Sequence, residues 1–282
     1  MIKSIFIASS WEHFQNDLER ENFIATHITD KENIELFEDG TELVFENNKL
    51  TKAYGYEDGE QYDIYLLPFD IGLDYKDYQE NHVLQIVEDK GGTHQLGGDI
   101  PFDFKLPKVN SIVPFQYLGY IDNQQKEFNW LPFKIHLTSP IFLNIRCVFL
   151  DYSNPYEPVV INKDEVEKAD TSYDEDLNQD SEIIYNEMKF NFIKGRTFSE
   201  IGHAGIPEWI QSPNIPICPK SGKMMKFLCQ FEGGVSAKTS NVVPHNEFYR
   251  HYYEELNFWG SGYLFIFFEP TSKTACYIIQ CT

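Results

Sequence analysis

Of the eight histidines in this 282-residue chain, His203 is the best placed for chemistry. Gly202 and Gly205 flank it in a turn-like stretch, where an imidazole could act as a general base. A general base needs an orienting partner, and no sequence neighbour supplies one. His13, His27, His82, His94, His136, His245 and His251 show no i, i+4 pair around a glutamate, as on a zinc-protease helix. A metal needs three or four convergent ligands, so the histidines predict neither a metal nor a cofactor. The five cysteines, at 147, 218, 229, 276 and 281, are odd in number and lack paired spacing. That argues against a disulfide framework and against a four-thiolate zinc site. Cys147, Cys229 and Cys276 lie in apolar runs, where thiols are expected to be buried and inert. Gly260-Ser261-Gly262 lacks the spacing of a nucleophile elbow, and the chain holds no glycine-rich phosphate or dinucleotide loop. The expectation is a protein that is not an enzyme. A hydrolase with an unrecognised carboxylate or histidine site is the weakest alternative, left open by the 44 acids.

Binding is better represented. Trp209 and Trp259 lie beside Pro or Gly in turn-like segments, outside the apolar strands. Each is either core or, if exposed, an interface anchor. With His203, Glu208, Phe258 and Tyr263 they define one candidate contact patch. The formal net charge of −21 argues against nucleic acid, whose phosphates need excess Lys and Arg, and against an anionic membrane surface. It serves solubility, or it steers a basic protein partner.

These residues sit in a pattern that occurs twice. Leu96-Gly97-Gly98-Asp99-Ile100-Pro101 is followed by Tyr117–Asp122 and Val148–Asp151. Ile201-Gly202-His203-Ala204-Gly205-Ile206-Pro207 is followed by Phe227–Glu232 and Ile266–Glu269. Each copy reads as a Gly-rich turn with Ile-Pro, then two apolar strands ending in an acid, as in a duplicated unit. The pairs Val148/Val159 and Ile266/Tyr277 have equal spacing and predict matching hairpins. Prolines 101, 107 and 114 in one copy, and 207, 213, 216 and 219 in the other, predict irregular loops.

The 23 Phe and 17 Tyr favour sheet, and the predicted fold is α+β, mainly antiparallel β, with an internal duplication. Residues 1–90 read as a mainly β extension with one helix over 10–19 behind a Ser9-x-x-Glu12 capping box. Asp39-Gly40 and Asn47-Asn48 are its hairpin turns. The first repeat is 91–163 and the second 191–282, sharing one core; 164–190 is an acidic linker, expected to be solvated, with its Ile183-Ile184-Tyr185 end anchored in the second half. The apolar start is too short for a secretion signal, and no run reaches the ~20 residues of a membrane span. Reduced thiols and these absences predict a cytoplasmic protein.

The second copy resembles a known family. Ile201–Gln211, Cys218-Pro219-Lys220-Ser221-Gly222-Lys223-Met224-Met225-Lys226-Phe227-Leu228-Cys229-Gln230 and Phe258–Phe268 are similar to the Gly-rich, Cys-Pro and terminal strand motifs of the YwqG-like bacterial proteins. About 80 residues match well and the first repeat weakly; residues 1–90 are not clearly covered. Ser221 departs from the family's second cysteine, which removes one thiolate from any zinc site there. The motifs are also distantly similar to programmed-cell-death-protein-type ribosomal-protein chaperones. The resemblance implies a duplicated, mainly β, cytoplasmic protein-binding domain of unknown function without established catalysis. Some members are thought to be immunity partners of secreted toxins. The expected roles are therefore an immunity protein against a basic toxin domain or, as the alternative, a chaperone or assembly factor for basic clients.

Overall fold

The computed structural model describes residues 2–7, 40–57, 60–64, 84–194, 201–205, 207–211 and 214–281. The helix expected over 10–19 lies outside them. Strands β1 (Ile2–Ile7), β2 (Gly40–Glu46), β3 (Lys49–Glu57) and β4 (Glu60–Ile64) form an antiparallel sheet in chain order. Asn47 and Asn48 join β2 to β3 with φ of 51° and 64°, the left-handed pair that suits a two-residue hairpin.

A second sheet of eleven strands carries the rest of the architecture. Its centre pairs β5 (Leu84–Glu88) with β12 (Met188–Lys194). Outward from β12 come β6 (His94–Leu96), β7 (Gln116–Ile121) and β8 (Ile135–Ser139). Outward from β5 come β13 (Gly202–Ala204), β14 (Lys226–Phe231), β17 (Tyr263–Glu269) and β18 (Thr274–Gln280). Strands β9 (Val148–Asp151) and β10 (Val159–Val160) close the edge beyond β18. A small third sheet joins β11 (Ile183–Tyr185), β15 (Gly233–Ser240) and β16 (Glu255–Asn257). Every strand pairing in the three sheets is antiparallel.

Three expectations are corrected. Both expected hairpins form, β9 with β10 and β17 with β18, but β17 lies beside β14 whereas β9 lies beside β18 and not beside β7, with Val148 opposite Tyr277. The strands β6, β7 and β8 run antiparallel outward from one side of the central pair, and β13, β14 and β17 from the other. Second, Leu84–Glu88 fills the gap between β12 and β13, so the last part of residues 1–90 belongs to the large sheet. Third, the acidic stretch is a packed layer. A helix α1 (Lys163–Lys168) buries Val166, and Leu177 follows it into the core, while Ile183 and Tyr185 are anchored on β15 of the second half as expected. Apolar anchors between the acids hold the chain down while most carboxylates face water.

Burial on both faces explains why β17 and β18 are apolar at nearly every position. Leu264, Ile266, Phe268, Ala275 and Tyr277 join the main core with Leu118, Leu137 and Tyr152. Phe265, Phe267, Cys276 and Ile278 face the other way, against Leu43, Phe45 and Leu50 of the N-terminal sheet, with Trp209 in the same cluster. Among the described residues, no helix is long and apolar enough to cross a membrane.

Candidate functional site

Trp259 is turned outward by its neighbours. Phe258 is fully buried, and its carbonyl accepts from Gly262 N at 2.7 Å. Trp259 follows in a left-handed conformation (φ 61°), a rare state for a bulky residue. Asn257 steadies the turn: its Nδ2 donates to Tyr252 O at 2.9 Å and its Oδ1 accepts from Gly260 N at 3.1 Å. The half-buried indole lies 5.3 Å from the Tyr173 ring, on the wall of a cavity of about 520 Å³. Tyr249 adds a third aromatic wall, and Asp174, Glu175 and Asp176 add three carboxylates. Among the described residues, no lysine or arginine lines this cavity.

His245 organises the acids. Its backbone N–H donates to Asp176 Oδ1 at 2.6 Å, and its Nδ1 lies 2.9 Å from the same oxygen. Its Nε2 lies 3.0 Å from Glu175. The Tyr253 hydroxyl donates to Asp176 Oδ2 at 2.8 Å. Burial would raise the Asp176 carboxyl, but the bonds from His245 and Tyr253 outweigh it and hold the group below its ordinary value. Burial, then the neighbouring Tyr252, pushes Tyr173 up to about 12, so it stays a neutral phenol. The cavity is thus an aromatic box with anionic edges. Such a site suits a guanidinium or ammonium group, by cation–π attraction and by ionic hydrogen bonds.

A second cluster lies on β13 and β14. Gly202 has φ of 142°, and a Cβ there would fall 2.2 Å from Gln230 O. Only glycine lets β13 approach this closely, which sets the next residue, His203, opposite Gln230. Gln230 in turn holds the following loop: its Oε1 accepts from Glu208 N at 2.8 Å. Glu232 closes the group from the end of β14, where its N–H donates to Ile201 O at 2.9 Å. One ligand atom from each of His203, Glu208 and Glu232 lies within 4.8 Å of the other two. Burial, then the charge of Glu232, pushes the Glu208 carboxyl well above its usual range. Burial, then both glutamates, pushes the Tyr263 hydroxyl up as well, so Tyr263 borders the cluster.

The six residues expected to make one contact patch divide between these places. His203, Glu208, Trp209 and Phe258 are buried, so they present no surface to a partner. Trp209 stacks on Phe265 at 4.9 Å under the N-terminal sheet. Tyr263 is half-buried beside the glutamates, and Trp259 faces the acidic cavity. Glu232, Tyr173 and the acids 174–176 were missed as site residues. Glu232 carried a signal, as the acid that ends an apolar strand in the repeated pattern. The nearness of Glu232 to His203 was missed because the two are distant in sequence and come together only through strand pairing. All five cysteines are free thiols. Burial pushes Cys229 and Cys276 up, whereas the hydrogen bond with Cys276 pulls the half-buried Cys147 down.

Comparisons with protein-family models, with curated proteins and with solved structures find no match.

Proposed function

We propose that this protein binds a basic protein partner without catalysis, taking an arginine or lysine side chain into the cavity beside Trp259. The observation that carries this reading is the composition of that cavity among the described residues: aromatic walls, three carboxylates, and no lining lysine or arginine. The net charge of −21 supplies the long-range attraction that steers such a partner, and the aromatics supply short-range recognition. The motif resemblance adds a biological setting: an acidic cytoplasmic immunity protein that occupies a basic toxin domain.

The test is calorimetry with a short arginine-rich peptide, at low and high salt. Binding is expected to be saturable, to weaken with salt and to be lost in an Asp174→Asn/Glu175→Gln variant. Both side chains are exposed, so the variant keeps the fold. Equal binding by the variant would reject the cavity as the recognition site.

A further inference from the structure

We propose that His203, Glu208 and Glu232 form a binding site for one divalent transition-metal ion, zinc or manganese, which staples the loop at 207–211 to β13 and β14. The site goes beyond partner binding and is independent of it. One imidazole and two carboxylates are a mixed N/O donor set of the kind that divalent first-row ions take, with room for a further ligand. The ligand atoms converge from three separate chain positions to within 4.8 Å of one another. Metal–ligand bonds of ~2.1 Å put any two donors within ~4.2 Å, so closure requires only a small side-chain shift.

The surroundings favour a cation. Glu208 is 3% exposed and His203 fully buried. A carboxyl taken this far out of water is held by a proton or by a compensating charge, and a metal ion can take the proton's place. Among the described residues, no lysine or arginine forms an ion pair with Glu208. A second carboxylate, Glu232, offers an oxygen in the same group. The carrier segments are also fixed beforehand: Gln230 holds Glu208 by its backbone, and strand pairing holds His203. Preset ligands lower the ordering cost of binding an ion.

The purpose of such an ion follows from the chain. Trp209 comes directly after Glu208 and is stacked on Phe265 and Phe267, in the cluster that joins the N-terminal sheet to the large one. An ion on Glu208 would lock the segment that carries this indole.

The experiment uses the full chain, stripped with chelator and dialysed. Titration with zinc or manganese chloride is followed by calorimetry and thermal melting, with magnesium as control. One equivalent is expected to bind with a rise in melting temperature, and magnesium is expected to bind far more weakly. Glu232→Gln, at a half-buried position, is expected to lose at least tenfold in affinity while keeping the melting temperature of the stripped protein. Cobalt(II) distinguishes the donors: an N/O site shows no thiolate charge-transfer band in the near ultraviolet. Three results would overturn the proposal: no stoichiometric binding, undiminished binding by Glu232→Gln, or a thiolate band, which would place the ion on the cysteines.

Discussion

The side-chain amide of Gln230 grips the backbone of Glu208 from both ends. Its Oε1 accepts from Glu208 N at 2.8 Å and its Nε2 donates to Glu208 O at 3.5 Å. Gln230 is fully buried, so this amide is the local substitute for water. Gln230→Leu keeps the bulk and strands the Glu208 N–H. We expect a loss of about 1–3 kcal/mol in chemical denaturation, the cost of one buried unsatisfied donor. Hydrogen exchange at Glu208 should quicken selectively.

Trp209 is a packing residue, and its two shortest replacements separate area from polarity. Its indole stacks on Phe265 at 4.9 Å with 13° between the planes. Its Nε1–H makes no hydrogen bond among the described residues. Trp209→Phe should therefore cost little beyond the lost area, whereas Trp209→Ala should cost about 3–5 kcal/mol. Urea unfolding of both variants checks the difference.

The sheet was legible because its signal is local. Phe, Tyr and β-branched residues in short runs between Gly, Pro and Asn announce antiparallel strands, and β17 and β18 fall where the apolar runs lie. Pairing partners are not local. Val148–Asp151 looks in sequence like Ile266–Glu269, yet it pairs with β18 because the chain crosses to the far edge. The acidic segment misled for a related reason. Charge count describes its exposed face, while Val166, Leu177 and Tyr185 decide its position. Of the sites, His203, Glu208 and Trp259 were visible as residue types beside turns. Glu232 and the acids around His245 needed three-dimensional proximity to show their role.

Stability should fall with acid through two buried histidines. Burial, then Lys134, pulls His136 down to about 4, and burial also lowers His94. Asp122 N donates to His94 Nδ1 at 3.0 Å, while His94 Nε2 meets Gln125 Oε1 at 2.6 Å, which fixes the neutral form. The unfolded chain binds more protons than the folded one below about 6.5, so the neutral histidines favour folding fully above that pH. For His136 the contribution is lost between about 6.5 and 4, up to roughly 3 kcal/mol in all. Denaturant midpoints across this range should drop less steeply for His136→Gln than for the natural protein.

The turn beneath the acidic cavity depends on one apolar anchor. Leu177 is buried, and its N–H donates to Tyr173 O at 2.8 Å. Leu177→Ala should lower stability by about 2–5 kcal/mol. Because the same turn carries Tyr173 and the acids 174–176, it should also weaken peptide binding under conditions where the variant stays folded. Calorimetry at low temperature checks both effects together.

Recognition of a basic side chain beside Trp259 is tested most directly by indole fluorescence. The natural protein and Trp259→Phe are titrated with the same arginine-rich peptide at low salt. The account predicts a saturable fluorescence change in the natural protein that shrinks with added salt and is absent from the variant. An identical change in both proteins would contradict it, because the reporting indole would then lie outside the cavity.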